Sequence, residues 1–209
     1  VEAAEPVEPE VVEEEVARGI ASIDRLPEDH AHGGQAREAG SIDMVVIHTI
    51  GGQYCADGEL ERSPAGKDAV YWRDWFETQG GKSIHYIVGR EGDIAQQRPE
   101  LRTAGHVAFN GVKENVNARS IGIELVNRGD GEDPFPEAQL VALEELVSDI
   151  AIRHELAAAD VYTHAELDTR MLDAPCDAHR RNVDPGPLFP MARLKKSVVV
   201  AATRAAVLR

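Results

Sequence analysis

The sequence predicts an α/β domain: a central mixed β-sheet flanked by helices, with its functional site above the strand ends. Three stretches carry that expectation. Residues 44–47, Met-Val-Val-Ile, are apolar at consecutive positions, as a strand covered on both faces requires. Residues 136–155 place Leu140, Leu143, Leu146, Val147 and Ile150 at helical spacing, the pattern of a helix packed along one side. Residues 83–88 and 93–97, joined by Gly-Arg-Glu-Gly, read as two strands of a hairpin.

Taken in order, residues 1–16 combine seven Glu with two Pro and offer little apolar surface to offset ordering entropy, which predicts a flexible tail. Acidic and Gly-rich character persists through Gly40, so residues 1–40 are expected to form an extension that ends as a linker or loosely docked arm, with the main domain spanning 41–209. After the first strand, Gly51, Gly52, Gly58, Pro64 and Gly66 predict a loop over 51–66. Residues 67–78 read as a short helix with Trp72, Trp75 and Phe76 on one side, more in keeping with core than with a binding platform. Residues 120–126, Ser-Ile-Gly-Ile-Glu-Leu-Val, give another buried strand, and a last helix follows Pro190.

Composition bounds the function. With 209 residues and 43% hydrophobic content, the chain can bury a core without disulfide staples. Its formal charge is −15, and residues 1–40 alone hold eleven acidic against three basic side chains. That balance argues against nucleic acid as a partner and provides no attraction to anionic membranes or wall polymers. No run approaches the roughly 20 apolar residues of a membrane span. The chain starts with Val and shows no basic, apolar secretory leader, as in a processed or trimmed form. Cys55 and Cys176 are either a single disulfide or two thiols; both readings stand.

Three residues can be joined into a metal site: His48 at the polar end of the first strand, His164 after Val-Tyr-Thr, and Asp184 before Pro-Gly-Pro. Pro185 restricts Asp184 to extended backbone, and Gly186 permits a sharp turn. Three protein donors leave a fourth tetrahedral position open, as catalytic zinc requires. Glu124 is the sole charge in its apolar strand, a costly placement unless it has a task or a partner. Structural ion pairing of Glu124 with Arg119 or Arg128 is the simpler account, and a zinc-activated water beside a general base is the catalytic one.

The order of Val-Val-Ile-His48, the hairpin at 83–97, Thr-Ala-Gly-His-Val-Ala-Phe-Asn (103–110), Ser-Ile-Gly-Ile-Glu-Leu (120–125), the helix from Phe135, Thr-His-Ala-Glu-Leu-Asp (163–168) and Asp-Pro-Gly-Pro (184–187) resembles the zinc-dependent N-acetylmuramoyl-L-alanine amidases, relatives of the peptidoglycan recognition proteins. The resemblance covers roughly residues 41 to 192 and makes 41–209 the catalytic domain. It implies Zn²⁺ held by His48, His164 and Asp184, and Glu124 assisting the attacking water. Peptidoglycan or a muropeptide is the implied substrate, cut between N-acetylmuramic acid and L-alanine. It also implies that His106, with Asn110 and Arg102, lines the saccharide–peptide groove.

Two departures stand out. The His164-to-Asp184 spacing is longer than in the family, and the inserted stretch offers Cys176 as an alternative third ligand. A lysine common two positions before the third ligand is replaced by Asn182, so Asn182 or Arg181, with Arg180 second, is the expected oxyanion donor. The competing function is a peptidoglycan-binding module that does not cut. A periplasmic or extracellular location and a monomer complete the expectation.

Overall fold

The computed structural model describes residues 23–208; the expected flexible tail at 1–16 lies outside them. Six strands form the main sheet in the order β1-β6-β5-β7-β2-β8: β1 (Asp24–Arg25), β2 (Met44–Thr49), β5 (Tyr86–Val88), β6 (Ile94–Gln96), β7 (Ser120–Leu125) and β8 (Val161–Thr163). Only β5 and β6 run antiparallel, as the hairpin reading requires; the other neighbours are parallel, so the sheet is mixed as expected.

Alternation along the strands divides the side chains between two layers. On one face Val45 and Ile47 of β2, Ile121, Ile123 and Leu125 of β7, and Tyr86 and Val88 of β5 form the main core. Helix α3 (Glu137–Arg153) and helix α5 (Met191–Val207) close it with Leu143, Leu146, Ile150, Leu194 and Val198. The other face is split. Helix α1 (Ala69–Glu77) covers Ile84, Ile87 and Ala95 with Trp72 and Phe76, so these aromatics are core. Met44 and Val46 pack under Val107, Val116 of the short helix α2 (Val116–Arg119), and Leu167. The open remainder of that second face, toward the C-terminal ends of β2 and β7, carries the functional residues.

Two expectations are corrected. Residues 51–66 are not a plain loop: β3 (Gln53–Ala56) and β4 (Glu59–Arg62) form a hairpin whose two connecting residues, Asp57 and Gly58, both have positive φ. Asp-Gly is a favoured pair for this turn because both positions require φ above zero. The described end of the extension is also tied down. β1 adds to the sheet edge beside β6, and half-buried Arg37 donates from Nε to the Glu100 carbonyl at 2.7 Å and from Nη1 to the Ala118 carbonyl at 3.1 Å.

Candidate metal centre

His48 lies in β2 directly opposite Glu124 of β7, and both point to the open face because their alternate neighbours Ile47 and Ile123 fill the core. His164 opens the single-turn helix α4 (His164–Leu167), whose N-cap Thr163 accepts from the Glu166 N–H while the Glu166 carboxylate accepts from the Thr163 N–H. This reciprocal cap fixes the backbone from which the His164 ring projects. Asp184 is brought alongside by a backbone bond from the Ala165 N–H to the Asp184 carbonyl, 3.0 Å. Gly186, at φ +91°, completes the turn; a Cβ there would lie 2.3 Å from the Gly129 carbonyl oxygen.

The three buried side chains converge. His48 Nδ1 and His164 Nδ1 are 3.0 Å apart, His164 Nδ1 is 3.1 Å from Asp184 Oδ2, and His48 Nδ1 is 3.4 Å from the same oxygen. A proton between two of these atoms satisfies one pair, whereas a cation satisfies all three. Zinc bonds of about 2.0–2.1 Å in a tetrahedron imply ligand–ligand edges of about 3.3 Å, close to the three separations. Two imidazoles and a carboxylate, with one position left open, fit zinc by donor chemistry as well.

The charges respond to this crowding. Burial, then repulsion from His164, lowers the His48 pKa to about 4, with Asp184 opposing. Burial alone would raise Asp184, but His164 and His48 hold its carboxyl well below the usual range. A neutral His48 beside an ionised Asp184 is the donor state a metal needs.

Glu124 is half-buried, and its Oε2 is enclosed without a hydrogen-bond partner among the described residues. The ion-pair account of Glu124 does not apply: Arg119 pairs with Asp43, and Arg128 with Asp130. Burial first, then repulsion from Asp184, raises its pKa well above the ordinary carboxylate value, offset weakly by Lys82.

Other candidates are engaged elsewhere. Arg181 pairs with exposed Asp173 at 3.0 Å, Asn182 donates to Asp168 Oδ2 at 2.6 Å, and Arg180 donates to the carbonyls of Ala165 and Asp168. Cys176 is bonded to Cys55, which removes it from the ligand alternatives and anchors the inserted stretch to β3. Arg102 and Asn110 are exposed; Arg102 forms a bridge with Ala36 and donates to the Gly34 carbonyl, so it holds the N-terminal segment. His106 contacts His48 and Ser120 through its two ring nitrogens. His85 is buried, its Nδ1 accepting from the Gly122 N–H. His154 buries its ring against Glu100.

Sequence reading missed Asp168 and Ser120. Asp168 lies one helical turn after His164, with Oδ2 3.9 Å from His164 Nε2, and is fully buried under Arg170 and Asn182. Ser120, Gly122 and Glu124 share a strand face with His48, so the period-two alternation of β7 was the available signal.

The chemistry open to three metal donors beside an enclosed carboxylate is metal-assisted hydrolysis, the class of protein that this fold and site define. Comparison with known proteins names the family. The N-acetylmuramoyl-L-alanine amidase family matches residues 38–187, and the chain belongs to it. The N-acetylmuramoyl-L-alanine amidase AmiD of Escherichia coli (strain K12) is 34% identical over 135 residues, which are 57% of this chain and 45% of AmiD. This chain therefore matches about half the length of that relative. The 1,6-anhydro-N-acetylmuramyl-L-alanine amidase AmpD of Haemophilus influenzae (strain ATCC 51907 / DSM 11121 / KW20 / Rd) is 29% identical over 171 residues, 75% of this chain and 83% of AmpD. The solved complex of E. coli AmiD with anhydro-N-acetylmuramic acid-L-Ala-D-γ-Glu-L-Lys superposes with a TM-score of 0.54 at 28% identity, covering 82% of this chain and 60% of that one.

Proposed function

We propose that this protein is a zinc-dependent N-acetylmuramoyl-L-alanine amidase that cleaves the amide between the lactyl group of N-acetylmuramic acid and the L-alanine of a stem peptide. The observation that carries the reading is the mutual approach of His48 Nδ1, His164 Nδ1 and Asp184 Oδ2 within 3.0–3.4 Å, opposite an enclosed Glu124. These three residues would hold zinc, which when bound supplies a Lewis acid for the carbonyl and lowers the pKa of the attacking water. Glu124 takes the water proton and returns it to the leaving amine of L-alanine. Burial and the neighbouring Asp184 raise its carboxyl above the ordinary carboxylate range, which makes it a stronger proton acceptor than a solvated glutamate. The products are a saccharide bearing a free lactyl carboxylate and a stem peptide with a free L-alanine amine. Substrates of the kind bound in the AmiD complex, soluble muropeptides, are the class proposed here.

The Cys55–Cys176 disulfide supports a periplasmic or extracellular location, because such bonds persist in oxidising compartments. Among the described residues, no helix is long and apolar enough to cross a membrane. A second reading, muropeptide binding without cleavage, draws on the engagement of Asn182 with Asp168 and of Arg181 with Asp173, neither of them one of the three converging donors. One experiment separates the two. Protein stripped with a chelator and reloaded with one equivalent of zinc is mixed with a defined muropeptide, and new primary amine is measured. Zinc-dependent release of amine supports the amidase; saturable binding with no amine released supports the binding module.

A further inference from the structure

The contacts behind His48 form a hydrogen-bond chain whose proton positions can be assigned. Ser120 Oγ lies 2.7 Å from the Val116 carbonyl oxygen and 2.9 Å from His106 Nε2. A carbonyl only accepts, so the single hydroxyl proton of Ser120 is given to Val116, and His106 must donate from Nε2. A neutral imidazole carries one N–H, which leaves His106 Nδ1 as an acceptor. His106 Nδ1 is 2.9 Å from His48 Nε2, so His48 donates there and its own proton sits on Nε2. The unprotonated nitrogen of His48 is then Nδ1, the atom that faces His164 and Asp184.

The chain is built into the fold. Ser120 shares the site face of β7 with Gly122 and Glu124, and the His106 ring lies over Gly122. A Cβ at Gly122 would stand 2.8 Å from two atoms of that ring and 2.7 Å from Ile84 Cδ1, so the bare glycine makes room for the imidazole. Asn117 Oδ1 accepts from the backbone N–H groups of His106 and Val107, and Asn117 Nδ2 donates to the Val107 carbonyl, which fixes the backbone that carries His106. His164 differs: its Nε2 has no hydrogen-bond partner among the described residues.

We propose that His106 and Ser120 are positioning residues that hold His48 in the Nε2–H tautomer and aim its Nδ1 at the metal. This rests on the zinc reading above and adds a role within it. Outer partners of metal-bound histidines typically alter metal affinity by about 10- to 100-fold. His106 thus acts through His48, not through contact with substrate.

The test uses the whole protein and zinc itself. In wild-type apoprotein, ¹⁵N-detected imidazole spectra should show His48 in the Nε2–H form; the Nδ1–H form would overturn the proposal. Chelator competition should give His106→Phe about 10- to 100-fold weaker zinc binding with a cooperative melt retained. His106→Asn, which keeps an acceptor near the Nδ1 position, should recover most of that loss. Ser120→Ala should leave the fold intact and broaden His48 into mixed tautomers. Wild-type zinc affinity in His106→Phe, or an equal loss in His106→Asn, overturns the proposal while the zinc reading stands. Failure of the wild-type protein to bind zinc defeats the broader reading, and the apoprotein spectrum still decides the tautomer.

Discussion

Glu124→Gln should weaken catalysis and strengthen the apoprotein at the same time. The carboxylate stands with Oε2 enclosed and without a hydrogen-bond partner among the described residues, and its pKa is raised by burial and by Asp184. Its folded value thus lies above its unfolded value of about 4.5, so wild-type stability falls as pH rises from there. At pH 7 the cost of this group is bounded at about 3 kcal/mol, since the carboxyl can instead keep its proton. Gln removes the charge but leaves an amide to satisfy, at about 1–3 kcal/mol if unpaired. A net gain of about 1 kcal/mol at pH 7 is expected, shrinking toward pH 4, where both side chains are neutral. Chemical denaturation of the apoproteins at the two pH values measures this. Turnover of the zinc-loaded variant should drop by about 10²- to 10⁴-fold, the usual contribution of a general base. Near-wild-type turnover at full zinc content would refute the assigned role of Glu124, and a stability change identical at pH 4 and pH 7 would refute the electrostatic argument.

His48→Ala should remove most bound zinc and retain the fold, because Val45 and Ile47 anchor β2 on the opposite face; elemental analysis with unchanged zinc contradicts this. Glu100 provides an acid-stability test away from the site. Burial would raise its pKa, but hydrogen bonds from Arg153, His154 and Tyr86 hold it down to about 2. Its contribution, up to about 3 kcal/mol, is full above its unfolded value of about 4.5 and disappears as pH falls through about 2. Denaturation curves of Glu100→Gln and wild type should therefore converge over that interval, and a constant gap argues against it. Arg181→Ala should leave turnover nearly unchanged and cost about 0–1 kcal/mol of stability, since its guanidinium is paired with exposed Asp173. A loss of about 10²-fold or more in initial-rate measurements would instead put its guanidinium at the oxyanion.

The sheet core was legible in local pattern, and the convergence of His48, His164 and Asp184 was legible from residue context read together with the family resemblance. Consecutive apolar residues mark β2 and β7, helical spacing marks α3, and strand-end His48 and turn-bound Asp184 stand in distinctive surroundings. The β3–β4 hairpin was equally available in Asp57-Gly58, but the density of breakers around it masked the turn signal. Other features depend on contacts distant in sequence. Nothing near Arg37 announces that it will meet the Glu100 and Ala118 carbonyls, and nothing near Asn182 announces Asp168. His106 was assigned to the groove by resemblance; only the fold shows both its ring nitrogens taken by His48 and Ser120.

The central claim is hydrolysis at the lactyl–alanine amide, and hydrolysis in ¹⁸O-water tests it most directly. Zinc-loaded protein is incubated with a muropeptide in the heavy water and the products are resolved by mass spectrometry. The account predicts ¹⁸O in the lactyl carboxylate of the muramic acid product and none in the released peptide, whose N-terminal L-alanine is free. Label in the peptide, cleavage at another bond, or an intact muropeptide bound to zinc-loaded protein would contradict it.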